Sequence, residues 1–234
     1  MAKKGKKGKK VEHHDMLEKP EALAEQISKT EQFIEKHQTL LLSFFGVIAL
    51  VIAGGFLYKY YMNNQNELAQ DEMFQAVYYF EQDSLNLALR GDGNRYGFLD
   101  IIEEYGATEA GNLANFYAGA CYMGKGAPKS AIPFLKDYKS DDILLMARAY
   151  SLLGDAYMDE DDYAEAADYY SKAASYKPNK EFTPTYIMKA ALAYELNGQQ
   201  KKAVEQYNKI IQDYANTPEY NNARKYKALI ENKS

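Results

Sequence analysis

The chain has 234 residues, with 28 Lys and Arg against 33 Asp and Glu, a net charge of −5, 22 tyrosines, no tryptophan and one cysteine. The lone Cys121 excludes an intramolecular disulfide, and the acidic balance argues against nucleic acid as the main partner. The three histidines, His13, His14 and His37, all precede the first apolar run, so no histidine triad or His-ligated zinc can form beyond it.

Residues 1–37 form a basic tail and a polar helix. MAKKGKKGKK has almost nothing to bury and is expected to be disordered. Each of its lysines near anionic lipid headgroups contributes about 1 kcal/mol of attraction. Contact with ribosomal RNA is a sharper reading of the same polybasic run. Adjacent His13 and His14 lack the further ligands a metal site needs. Glu21–Lys36 reads as a helix with Leu23, Ile27 and Ile34 on one stripe, either running into the next segment or lying on the membrane surface.

Residues 38–58 carry no charge, and LLLSFFGVIALVIAGGFL is almost wholly apolar. Twenty-one helical residues span about 30 Å, the hydrocarbon thickness of a bilayer. A cleavable signal fits poorly. The apolar core is longer than the usual one, a polar segment precedes it, and no clear A-x-A site follows. Nine lysines lie before the span, and Lys59 alone follows it before Arg90. This asymmetry predicts a cytoplasmic N-terminus and an exported C-terminal part. That part is acidic, with 19 basic against 26 acidic residues beyond residue 58.

Residues 59–111 read as a linker helix and a degenerate first repeat. Asn63–Glu81 is predicted as a separate helix with Met73, Ala76, Val77 and Phe80 inward, and Phe98–Tyr105 as a short one with Leu99, Ile101 and Ile102 apolar. GDGNRYG between them is a loop rich in turn formers. It lacks the oxygen-ligand spacing and closing Glu of a calcium loop.

Residues 112–234 carry the repeats and a cap. Within 147–180, Tyr150, Leu153, Gly154, Tyr157, Ala166, Tyr170, Ala173 and Pro178 fall in a fixed order. Gly154 and Ala166 are small where two helices must approach, the tyrosines and Leu153 share apolar faces, and Pro178 stops the second helix. The order resembles the 34-residue helix–turn–helix of tetratricopeptide (TPR) repeats. Such a unit cannot bury its apolar face alone. Tyr122 and Ala131 stand 35 residues earlier, and Tyr194 and Ala203 37 residues later. Gly119 and Ala191 repeat the small site, Tyr207 matches Tyr170, and Gly126 and Gly198 mark turns. Repeats are expected at 112–145, 147–180 and 184–217. In the first, Asn115 and Ala118 replace bulky residues, and Pro128 and Pro133 are expected to interrupt the second helix. Pro184 favours a helix start, and Pro218–Glu231 reads as a cap helix with Tyr220 and Leu229 inward. The predicted class is therefore all-α, with one transmembrane helix before a TPR-like solenoid of about three to four helix pairs.

No catalytic constellation, phosphate-binding loop or cofactor motif is present, and DEDD at 159–162 reads as a solvated turn. A non-enzymatic binding protein is expected. The resemblance to TPR proteins implies a concave surface lined by the first helix of each repeat. Carried over, this places Phe116, Ala120, Met123, Arg148, Ser151, Asp155, Met158, Met188, Leu192 and Glu195 there. Met and Phe among polar residues suit adaptable contact with apolar polypeptide. Phe116, Ala120 and Asp155 stand where a carboxylate clamp would need Lys and Asn, so that mode is not expected.

The layout as a whole resembles the ancillary subunit of the bacterial SecYEG translocon. The resemblance rests on EQISKTEQFIEKHQ before the span, the passage EEYGATEAGNLANFYAGACYMGKG, and the repeats that follow. It implies a single-pass inner-membrane protein with a periplasmic domain near the translocon exit. It further implies work beside a membrane-anchored prolyl-isomerase-like chaperone on emerging proteins. The Lys/Gly tail and the GDGN insertion depart from the family pattern. Two other classes stay open. One is an envelope scaffold in cell division or outer-membrane biogenesis. The other is an organellar import receptor facing the cytosol, which the lysine asymmetry disfavours.

Overall fold

Between Phe56 and Glu81 the sequence has neither Gly nor Pro, and nothing there can break a helix. In the computed structural model, which describes residues 20–232, the first helix accordingly runs on as α1, Pro20–Glu81. The separate helix expected from Asn63 is thus part of α1. The expectations for the Lys/Gly tail, His13 and His14 lie outside the described residues.

The chain divides into two units, Met1–Tyr60 and Tyr61–Ser234. In the first, α1 loses helical geometry at His37 (φ −113°, ψ 15°), immediately before the uncharged run. The large apolar side chains of the run lie exposed along the helix, from Leu40 at 66% to Leu57 at 70%. Ser43 donates its hydroxyl to the Thr39 carbonyl at 2.8 Å, so its polar group is satisfied within the helix. Among the described residues this is the one helix long and apolar enough to cross a membrane. Tyr58 closes the run and Tyr60 follows it, and both are exposed.

Among the described residues, the second unit contains the end of α1 and nine further helices in sequence order. They are α2 (Leu85–Arg90), α3 (Phe98–Tyr105), α4 (Glu109–Gly124), α5 (Pro128–Asp137) and α6 (Ile143–Asp159). Then come α7 (Tyr163–Ser175), α8 (Thr183–Leu196), α9 (Gln200–Asp213) and α10 (Glu219–Glu231). Starts are marked by side chains that accept from the free amides of the first turn. Thr108 caps α4, Asp142 caps α6 and Asp162 caps α7. Pairs α4–α5, α6–α7 and α8–α9 stack in sequence order, and α10 closes the last pair. The result is an all-α, TPR-like solenoid.

One turn geometry recurs through the solenoid. Asp83, Gly126, Asp161 and Gly198 all adopt positive φ, between 55° and 71°. In each case the next residue donates its amide to a tyrosine carbonyl five residues back. The tyrosines are Tyr79, Tyr122, Tyr157 and Tyr194, at 2.8–2.9 Å. The end of α1 therefore enters a TPR-type hairpin with α2. Ala76 and Ala88 stand where Gly119 and Ala131 do, and both are fully buried. The expected first repeat has a second helix split in two: Gly91–Gly97 separates α2 from α3. Asp92 holds this loop, accepting from the amides of Asn94 and Arg95 and from the Tyr79 hydroxyl at 2.8–2.9 Å. Glu72 on α1 accepts from the Arg95 side chain and the Tyr96 amide.

Two expectations are corrected. Pro128 and Pro133 do not interrupt α5. Pro128 begins it, and Pro133 is near enough to the start that its missing amide forfeits only one bond, to an exposed first-turn carbonyl. In α10, Leu229 is 47% exposed, and Ala223 and Ile230 face inward instead. These two fall on the register of Tyr186 and Ala193 one repeat earlier.

Tight approach explains the small residues. A Cβ on Gly154 would lie 2.5 Å from the Tyr170 ring, and one on Gly119 would lie 2.5 Å from Leu135 Cγ. Ala166, Ala131 and Ala203 have no exposed surface. Ala166→Leu should therefore cost about 1–3 kcal/mol through overpacking. Asp161→Gly should leave stability unchanged or raise it by up to about 1 kcal/mol, since glycine adopts positive φ freely. Urea melts of the full chain in detergent, followed by circular dichroism, should give this ranking. Equal effects of the two substitutions would contradict the register.

Candidate protein-binding surface

The first helices α4, α6 and α8 carry the residues expected to line a groove, and the structure sorts these into three groups. Phe116 and Ser151 are buried, at 8% and 4% exposure. Phe116 packs with Leu135, Tyr138 and Met146 in the core between the first two pairs. It is unavailable to a partner as the chain stands, because the apolar loop-side residue Tyr138 closes over it at 5.4 Å. Met123, Met158 and Met188 are half-buried, each against a core cluster. Arg148 is exposed, and Ala120 is half-buried.

Asp155 and Glu195 are engaged within the protein. Asp155 accepts from the Tyr170 hydroxyl at 2.6 Å and forms an ion pair with Lys189 at 2.7 Å. Lys189 Nζ also lies over the Tyr170 ring, 5.4 Å from its centroid. This ties α6, α7 and α8 together around a side chain that sequence reading left out. Glu195 plays the same part in the next pair, accepting from the Tyr207 hydroxyl. The pair at Asp155 is about one-third exposed on each side, so solvent weakens it. Its contribution is geometric: it holds Asp155 between α7 and α8, as the Tyr207 hydroxyl holds Glu195 against α9.

A further exposed apolar surface on these helices lies along α8. Leu192 and Leu196 on α8 are 48% and 49% exposed. Met188, Leu192 and Leu196 follow one another at four-residue spacing and share a stripe. Leu229, 37 residues after Leu192, takes the same place on α10. The 37-residue offset that relates Tyr157 to Tyr194 would have located it. A separate cleft of about 700 Å³ lies between α4, α6 and the 138–141 loop, with Tyr150 and Tyr176 in its walls. Its polar groups bind one another: Asn112 pairs with both backbone groups of Lys139, and Tyr176 donates to the Ser140 carbonyl.

The signature residues hold the pairs. Tyr157 stacks on Tyr169 with centroids 5.4 Å apart, and Tyr150 meets Tyr169 and Tyr176. Tyr122 stacks on Phe134, also at 5.4 Å. Leu153, Ala173 and Tyr207 are buried, and Tyr194 packs against two clusters. Pro178 lies beyond the end of α7, which stops at Ser175. Among the described residues no group of His, Cys, Asp and Glu could hold a metal ion.

Residues 147–180 match the tetratricopeptide repeat family. Two crystal structures of a Podosopora anserina protein described as a kinesin light chain with nearly identical TPR-like repeats are similar in fold. They are 15% identical, cover 71% of this chain and 85% and 86% of theirs, and have TM-scores of 0.54 and 0.55. MamA is 26% identical over 57% of this chain and 76% of its own, with a TM-score of 0.43. No curated protein matches the sequence. The solenoid is TPR-like in fold, with one repeat matched by the family model.

Burial, and then the bond to Asp155, raises the Tyr170 pKa; burial, and then the bond to Glu195, does the same for Tyr207. A raised folded value means that the neutral phenol stabilises the fold fully below the ordinary tyrosine value of about 10. That stability is lost as pH rises past it. Urea midpoints should hold from neutral pH to about pH 10 and fall above it. The Tyr170→Phe, Tyr207→Phe double variant should show a shallower fall, with tyrosinate absorbance read in parallel.

Proposed function

We propose that this protein is a single-pass inner-membrane adaptor, N-terminus cytoplasmic and solenoid periplasmic, that docks at the Sec translocon. In this reading the solenoid recruits a membrane-anchored chaperone of the prolyl-isomerase class or meets emerging chains directly. One combined observation carries the proposal. An uncharged helical run with its large apolar side chains exposed, and nine lysines before it, is followed by a solenoid with an uncharged apolar stripe. The lysine bias sets the orientation. The stripe of Met188, Leu192 and Leu196, with Leu229 beside it in register, suits unfolded apolar segments, which carry few charges to pair. Asp155 and Glu195 are occupied internally, so the surface does not demand a basic ligand. Anchoring raises the effective concentration of a weak surface near its target, so modest affinity suffices.

Photocrosslinkers placed in native membranes test this. One at Met158 is expected to capture a periplasmic chaperone or a translocating polypeptide, and one at Val51 a translocon subunit. Protease added to spheroplasts is expected to digest residues beyond 60. Adducts only with division or outer-membrane assembly factors would replace the translocon reading with an envelope scaffold, and a protected C-terminal part would overturn the orientation.

A further inference from the structure

Each first helix of the solenoid has a stripe that meets the preceding pair, and α1 carries the same stripe with no pair before it among the described residues. The register set by the shared turn makes the correspondence explicit. Tyr78 of α1 corresponds to Cys121, Ala156, Ala193 and Ile230. Those four are at most 8% exposed, whereas Tyr78 is 51% exposed. Four residues earlier, Phe74 corresponds to Tyr117, Leu152, Lys189 and Tyr226. Leu152 packs in the core between the first two pairs, and the other three lie against an aromatic ring of the preceding pair: Tyr117 on Phe98 at 5.2 Å, Lys189 on Tyr170 at 5.4 Å, Tyr226 on Tyr207 at 6.0 Å. Phe74 is 77% exposed. Asp71 is exposed where Ala114, Ala149, Tyr186 and Ala223 are buried.

The two ends of the stack are therefore unlike. At the C-terminal end α10 covers α9 and turns Asn221, Asn222 and Lys225 to solvent, as a terminal cap requires. At the N-terminal end two large aromatic side chains occupy a seam shaped to receive a helix. Acidic residues ring that seam: Glu67 and Asp71 share its face, Glu81 follows Tyr78 by one turn, and all three are exposed. No Lys or Arg lies between Lys59 and Arg90. Two copies meeting through this face would bring like charges together, so a second copy is disfavoured. A partner with the opposite charge is favoured for the same reason.

We propose that the Phe74–Tyr78 face of α1 docks an amphipathic helix of another protein, seated as the second helix of a missing preceding repeat. Its seam is aromatic or bulky aliphatic, and its flanks carry Lys and Arg. This surface is separate from the stripe on α8.

The test uses the full chain in native membranes with benzoylphenylalanine at Phe74, and mass spectrometry to map the adduct. The expected adduct lies within a Lys/Arg-flanked amphipathic helix of one other protein. Glu67→Lys with Asp71→Lys should cut its yield tenfold or more. Both positions are exposed, and an unchanged thermal melt verifies that the variant folds. Adducts from Met158 should persist in the same variant, so failure here is distinguishable from failure of the translocon reading. A Phe74 adduct to a second copy, to lipid alone or to an acidic or extended segment would overturn the proposal. So would the absence of any adduct, or a yield indifferent to the charge reversal.

Discussion

Close approach of paired helices is the constraint on which the rest of this solenoid depends. It fixes a small residue on each partner: Ala76 with Ala88, Gly119 with Ala131, Gly154 with Ala166, Ala191 with Ala203. The consequences extend beyond packing. Because Gly154 has no Cβ, the Tyr170 ring lies over it, and the hydroxyl reaches Asp155 on the same helix. Asp155 then takes Lys189 from the next pair. In the third pair Ala191 occupies the glycine's place, and the acceptor for Tyr207 comes from Glu195, a full turn along. The position equivalent to Asp155 is thereby freed, and it holds the exposed Leu192. One methyl group's difference accompanies the change from a polar tie to an apolar surface.

How much of this was legible in the sequence depended on whether the period was intact. Tyr122, Tyr157 and Tyr194, with Ala131, Ala166 and Ala203, placed three helix pairs because side-chain size at a helix crossing is a local demand. The pair before them was only half visible. Ala76, Tyr79 and Ala88 obey the same order, but the Gly91–Gly97 loop lengthens the spacing to Tyr122 and splits the second helix. A period search passes over such an insertion, whereas the positive φ at Asp83 and the hydrogen bond donated by the Ser84 amide to the Tyr79 carbonyl do not depend on it.

The binding surface was less legible for a different reason. Helical periodicity assigns a residue to a face and says nothing about its depth. Phe116 and Leu192 both fall on the face of the first helices. Phe116 sits under Tyr138, a residue contributed by the connection after α5, while nothing of that kind overhangs Leu192. Carboxylates show the same limit. Asp155 and Glu195 read as solvated or ligand-facing, yet each has a tyrosine hydroxyl donated from the second helix of its own pair. Those partners lie 12 and 15 residues away, which no window of a single helix contains.

The chemistry of the two candidate surfaces then differs in a way that follows from these internal bonds. On the first-helix face Asp155 and Glu195 are bonded within the protein, and the stripe of Met188, Leu192 and Leu196 presents aliphatic and thioether surface. At the N-terminal end the acids Glu67, Asp71 and Glu81 stay at the surface around Phe74 and Tyr78. Attraction there is screened over about 8 Å at physiological salt, so it selects for sign of charge only at contact distance. Selection by charge and adhesion by apolar area therefore reside on different parts of one scaffold. A helix arriving at the end continues the stack, whereas a segment lying on the face crosses it. The two modes compete for none of the same side chains, because the stripe that would bury the end is the one each later pair has already used for its neighbour.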